Sequence, residues 1–278
     1  MDQVQPTSSN PTRLAVDIVS ATKVYSDGTQ ALLPVDLQIK KGEFVSLLGP
    51  SGCGKSTLLK MIAGLTKPSS GSIQIGKGDA EKSKELQFNS ALYPSTLPRL
   101  SFVFQSPTLM PWANVRANVR LPLDLAGIPK VVSNERVNDI LAKVGLSDFA
   151  NSLPRKLSGG MQMRVSIARG LITQPDILLM DEPFGALDEI TRHKLDSDLL
   201  ALWEKENLTV IFVTHSIHEA VFLSSRVIMM APRPGRITNE FMIEAAYPRS
   251  QDFMLTSQFM KYARLLQESL QNASQPSW

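Results

Sequence analysis

The chain has 278 residues, 43% of them apolar, enough for one large domain with a smaller lobe. Its 29 basic and 26 acidic residues leave a net charge of +3 with no basic block, which argues against nucleic acid as a partner. No apolar stretch approaches the roughly 20 residues needed to cross a bilayer, the polar start at 1–12 lacks the apolar core of a signal peptide, and the single cysteine, Cys53, excludes an intrachain disulfide. A cytoplasmic protein is expected.

From the N-terminus, strand-like runs at Ala15–Val19 and Val35–Ile39, with a turn at Ser26-Asp27-Gly28, predict an antiparallel sheet. Phe44–Leu48 is an apolar strand that opens a parallel core. It leads into Gly49-Pro50-Ser51-Gly52-Cys53-Gly54-Lys55-Ser56-Thr57 and then an amphipathic stretch from Leu58, the strand–loop–helix setting of a phosphate-binding loop. Such a loop turns successive backbone N–H groups onto a phosphate chain, and the helix that follows adds its positive end. Lys55 is placed for the β- and γ-phosphates of a nucleoside triphosphate and the Ser56 hydroxyl for magnesium. Cys53, beside a lysine and a helix N-terminus, has two readings. One is a thiol of lowered pKa whose alkylation blocks ATP binding; the other is a small buried packing residue.

Gly76 to Arg99 is rich in charge and proline and longer than a hairpin connection requires, so it is expected to be a surface insertion. The strand Phe102-Val103-Phe104 ends at Gln105. The loop after it, Ser106 to Trp112, is apolar and proline-fixed, which marks a partner surface through Leu109, Met110 and Trp112, or a cover for the chain's own helical lobe. From about 107 to 163 the spacing of Val137, Ile140, Leu141 and Val144 is helical.

Leu157-Ser158-Gly159-Gly160-Met161 then opens a helix with apolar Val165, Ile167, Ala168 and Leu171. Its free N–H groups form a second anion site with no phosphate loop of its own to serve. The apolar run Ile177–Met180 predicts a strand buried on both faces, delivering Asp181 and Glu182 to the sheet edge. There Asp181 would hold magnesium and Glu182 would orient or deprotonate an attacking water. Thr209–Val213 is a further strand, ending at Thr214-His215; His193 and His218 read as surface residues on helices. Beyond Asp252, Phe259, Tyr262, Leu266 and Leu270 keep a helical spacing that predicts packing back on the core.

The phosphate loop and the Leu157–Met161 motif together resemble the ATP-binding subunits of ABC transporters, over about Leu14 to Glu240. The resemblance implies an α/β fold: a P-loop NTPase parallel-sheet core with an antiparallel β subdomain and a helical subdomain, the ABC ATPase fold. It divides the chain into a polar tail at 1–13, an ATP-binding domain at 14–245 and a C-terminal helical extension at 246–278. It implies an ATP hydrolase with magnesium as cofactor, acting as a homodimer at the inner face of the cell membrane. Its expected partners are permease subunits and, indirectly, a solute-binding protein.

By the same resemblance, Tyr25 stacks on adenine, Gln105 contacts magnesium and water, and His215 contacts the γ-phosphate. Ser158, Gly159, Gly160 and Met161 close over the ATP of the second subunit, and Asp188, in Phe184-Gly185-Ala186-Leu187-Asp188, couples the two sites. Leu109, Met110 and Trp112 would line the groove for a permease coupling helix. Met161 stands where the signature usually has glutamine, which implies altered affinity without loss of activity.

Val103-Phe104-Gln105, Leu109-Met110-Pro111-Trp112, the run Gly185 to Arg192 and the run Met230 to Ile237 are similar to ATPases of the nitrate, sulfonate and taurine import family. Importers of thiamine precursors carry similar segments. Soluble ABC proteins acting on ribosomes or DNA form a rival class, but usually show paired ATP domains or a long coiled-coil insertion, neither visible here. A non-hydrolysing regulatory subunit is the other rival, and the complete motif set argues against it.

Overall fold

A computed structural model describes residues 13–76 and 99–274; nearly all of the insertion expected at 76–99 and the tail at 1–12 lie outside the described residues. Two sheets organise the rest. The smaller pairs β1 (Leu14–Val24), β2 (Gln30–Lys40) and β4 (Ser70–Ile75) in the order β2-β1-β4, all antiparallel. The larger has six strands in the order β5-β6-β7-β3-β8-β9: β5 (Leu100–Val103), β6 (Ile177–Asp181), β7 (Thr209–Thr214), β3 (Phe44–Leu48), β8 (Arg226–Ala231) and β9 (Arg236–Met242). Only the β8–β9 pair is antiparallel in that sheet.

Strands β3, β6 and β7 are buried at every residue, as expected of parallel strands covered on both faces. Their period of two divides the core. Phe44, Leu48, Leu178, Met180, Val210 and Phe212 pack into one cluster, which continues into the helical lobe, while Val45, Leu47, Ile177, Leu179, Ile211 and Val213 pack into another with the antiparallel sheet. Helix α1 (Lys55–Ile62) belongs to the second cluster through Leu58, Leu59, Met61 and Ile62.

The helical lobe holds α2 (Val115–Leu125) and α3 (Lys130–Lys143), joined to the core by α4 (Gly159–Leu171). Asn114 caps α2 by accepting from the Ala117 N–H. The remaining helices are α5 (Glu189–Glu206), α6 (Ile217–Leu223) and α7 (Ser257–Ser274). Helix α7 buries Phe259 and Leu266, and Arg249 ties the approach to it by donating to the carbonyls of Val221, Phe222, Ser224, Ile243 and Ala245. His193 is half-buried on α5, whereas His218 is exposed on α6 and stacks 5.7 Å from the Phe259 ring. Among the described residues no helix is long and apolar enough to cross a membrane.

Candidate functional site

The carboxyl ends of adjacent parallel strands gather the functional groups. Leu48 pairs with Thr214, and Asp181 pairs with Val213, so the residues following β3, β6 and β7 emerge side by side on one sheet edge. Ligands bind in the crevice outside such strand ends. A cleft of about 530 Å³ lies there, lined by Tyr25, Ser51, Gly52, Gly54, Lys55, Ser56, Thr57, Gln105 and Glu182, among others.

The loop after β3 reverses into α1 at Gly54, whose φ of 89° lies in the left-handed region that a side chain disfavours. No side chain caps this helix, so its first N–H groups stay available to a ligand. Lys55 follows immediately and is 4% exposed. Its Nζ donates to the carbonyls of Gly49 (2.8 Å) and Pro50 (3.0 Å) and stands 3.7 Å from Glu182 Oε1. Gly49 and Pro50 thus hold the lysine, while Ser51, Gly52, Gly54, Ser56 and Thr57 face the cleft.

Ser56 Oγ donates to Asp181 Oδ1 at 2.7 Å. Asp181 is 8% exposed, and burial raises its pKa against the opposing Ser56 hydrogen bond and the charges of Lys60 and Lys55. The next residue, Glu182, has φ of 45°, an uncommon backbone region for a residue with a side chain. That turn leaves Glu182 Oε2 3.1 Å from His215 Nδ1, with the histidine side chain 52% exposed. Asp181 meets the cleft through Ser56, and His215 through Glu182. Tyr25, 43% exposed, bonds Thr57 Oγ1 at 3.2 Å and stands on the cleft wall.

Of the two readings open for Cys53, the structure supports packing. Its side chain is fully buried, and desolvation pushes the thiol pKa up, outweighing the cation of Lys55 that would lower it. Cys53 is therefore a packing residue beneath the loop.

Other expected groups lie apart from this cleft within the chain. Ser158 caps α4 by accepting from the Met161 N–H at 3.3 Å, with Gly159 exposed and Gly160 buried against Thr191. Asp188 caps α5 by accepting from the Thr191 N–H at 2.9 Å, a bond that lowers its pKa. In the loop after β5, Trp112 is 78% exposed, whereas Leu109 packs partly against the core. Buried Asn118 holds this loop: its amide bonds Met110 N–H and the carbonyls of Met110, Ala113 and Asn114. Arg169 fixes it from α4 through the carbonyls of Pro107 and Thr108.

Sequence reading missed one wall of the cleft, formed by Thr29 and by Gln30 and Ala31 at the start of β2, with Arg233, Pro234 and Gly235 between β8 and β9. Its only local signal was the Pro-Arg-Pro-Gly turn after an apolar run. It also missed the buried set behind His215. There Glu219 accepts from Thr214 Oγ1, Arg192 lies 3.6 Å from Glu219 and donates to the Leu187 carbonyl, and Asp196 is 1% exposed.

A phosphate loop on a parallel sheet, with a hydroxyl–carboxylate pair and a carboxylate–histidine pair at the strand ends, defines a P-loop nucleotide hydrolase. The chain belongs to the ABC transporter family, whose sequence profile matches residues 32–185. The taurine import ATP-binding protein of Roseobacter denitrificans is 44% identical over 220 residues, covering 79% of this chain and 77% of that one. An aliphatic sulfonates import ATP-binding protein of Bacillus cereus is 39% identical over 267 residues, covering 92% of this chain and all of that one. A bacterial ABC transporter cassette solved as a dimer superposes with a TM-score of 0.72 at 36% identity, covering 83% of this chain and 100% of the other. The chain is thus an ATP-hydrolysing ABC cassette of an importer family, with the α/β fold of that class.

Proposed function

We propose that two copies of this chain bind ATP and magnesium head to tail and drive a membrane permease that imports a small solute of the nitrate, sulfonate or taurine kind. The observation that carries the chemistry is the convergence of Lys55, the Ser56–Asp181 pair and the Glu182–His215 pair on one sheet edge. Among the described residues no three His, Cys, Asp or Glu side chains form a metal cage by themselves. A hydroxyl and a carboxylate 2.7 Å apart, with Gln105 on the same cleft, instead suit a hard cation shared with a triphosphate. Ser56, Asp181 and Gln105 would hold magnesium, which when bound neutralises charge on the phosphates.

In this reading the backbone of 51–57 cradles the phosphates, Lys55 faces the β- and γ-phosphates, and Tyr25 stacks on adenine. Glu182 orients the attacking water and accepts its proton. His215, bonded to Glu182 through Nδ1, presents its other ring nitrogen to the γ-phosphate. The exposed start of α4, at Ser158, Gly159, Gly160 and Met161, closes over the partner's nucleotide, and Asp188 couples the two sites. Leu109, Met110 and Trp112 receive the permease, with exposed Trp112 as the anchor. The chain is then peripheral, on the inner face of the membrane, with 14–245 as the ATP-binding domain and 246–278 as an extension. The solute meets the permease and a solute-binding protein, so its identity is set outside this chain. Names of the taurine and sulfonate relatives favour that class over thiamine precursors.

The test is affinity purification of the tagged chain from detergent-solubilised membranes of its native cell, with the co-purifying proteins identified. A multi-span permease is expected, and its solute-binding protein can then be screened for ligand. Recovery with ribosomes or nucleic acid and no permease would refute the import role while leaving ATP hydrolysis intact.

A further inference from the structure

The cleft wall between β8 and β9 holds a cation that the roles above do not use. Arg233 lines the cleft, is exposed, and makes no hydrogen bond or ion pair among the described residues. Among the described residues the only other cationic side chain on that lining is Lys55, which is already engaged with two carbonyls and Glu182. The loop carrying Arg233 is fixed. Gly235 N–H donates to the Ala31 carbonyl at 3.1 Å, and the Gly235 carbonyl accepts from Leu33 N–H at 2.8 Å. Arg236 reaches back to the carbonyls of Pro232 and Pro234 at 3.3 and 3.4 Å.

Gly235 also presses against the phosphate loop: a Cβ there would lie 2.4 Å from the Cys53 carbonyl oxygen and 2.7 Å from that of Ala31. Only glycine permits this approach, which brings the 233–235 turn against the phosphate loop and beside the start of β2. Arg233 itself has φ of 58°, a left-handed backbone that few non-glycine residues adopt. Residues held in such conformations cluster where a ligand is met.

We infer that Arg233 is a nucleotide contact, a second positioned cation that meets the ribose and α-phosphate end of a bound nucleoside di- or triphosphate. Lys55 follows Gly54 at the start of α1 and serves the far phosphates, whereas Arg233 is joined to the wall of Thr29, Gln30 and Ala31, which runs on from Tyr25. A guanidinium suits this place because its fork can bridge a phosphate oxygen and a sugar hydroxyl. The inference rests on the reading that this cleft takes ATP.

The test compares binding of ATP and of ADP by calorimetry to the full chain and to Arg233→Ala, Arg233→Lys and Lys55→Ala. One charge-assisted contact predicts a loss of about tenfold for Arg233→Ala. That loss should be alike for ATP and ADP, shrink at high salt and be only partly restored in Arg233→Lys, which keeps the charge but not the fork. Lys55→Ala should weaken ATP more than ADP. Unchanged affinity in Arg233→Ala, or a loss for ATP alone, overturns the inference while the ATP reading stands. Absence of ATP binding by the unaltered chain overturns both.

Discussion

Asp196 offers a sharp test of the buried polar set behind His215. The carboxyl is 1% exposed on α5, and its Oδ1 has no hydrogen-bond partner among the described residues. Burial, reinforced by the nearby charge of Glu219 and opposed by Arg192, pushes its pKa up to about 8 from an ordinary 3.8. The folded protein therefore keeps a proton that the unfolded chain has already released between those values. Stability is full below the unfolded pKa and falls as pH rises towards 8. At about 1.4 kcal/mol per unit, the full shift sets a ceiling near 6 kcal/mol, and relaxation around the site reduces the observable part to about 2 kcal/mol.

Asp196→Asn keeps the shape and cannot ionise. Urea denaturation of both proteins at pH 5 and pH 8 should show the variant gaining stability relative to the parent by about 2 kcal/mol across that interval. Groups that titrate identically in both proteins cancel in the difference. A variant destabilised by the same amount at both pH values would refute the reasoning, because Asp196 would then be an ionised partner of Arg192 throughout.

Three further outcomes are expected. Glu182→Gln should retain ATP binding while phosphate release slows by about 10²–10⁴-fold, or roughly 3–5 kcal/mol of barrier; near-normal turnover would remove Glu182 from the reaction. Cys53 should resist alkylation by maleimide under native conditions at neutral pH and react on unfolding, so native labelling at the rate of a free thiol would contradict its burial. Asn118→Ala should cost about 2–3 kcal/mol in thermal or urea unfolding, since it leaves Met110 N–H and the carbonyls around it without the amide that joins them. An unchanged midpoint would show that Arg169 alone holds that loop.

The parallel core was legible because its strands announce themselves: Phe44–Leu48, Ile177–Met180 and Thr209–Val213 are unbroken apolar runs, and each ends at a residue with chemistry to do. The phosphate loop was legible because glycine, lysine and serine at that spacing have few other uses. Cys53 kept two open readings because the sequence displays the neighbouring lysine but not the burial that outweighs it. The run Met230 to Ile237 was legible as a resemblance, but its place on the cleft wall was not, for a related reason. Its residues lie far along the chain from the loop they support, joined only by the contacts of Gly235 with Ala31, Leu33 and Cys53. Nothing in the sequence marks Arg192, Asp196 and Glu219 as a buried set, which forms where α5 packs against α6.

Because Asp181 pairs with Val213 and Leu48 with Thr214, the spacing of the points where the chain leaves β3, β6 and β7 for the cleft is a property of sheet register. Amides of β3, β6 and β7 should then share one slow hydrogen-exchange rate, governed by opening of the whole molecule. The groups gathered at the ends of these strands would persist together and be lost together. The loop after β5, held by one asparagine and one arginine, can open separately, so the surface that carries Trp112 can loosen without disassembling the cleft at the strand ends.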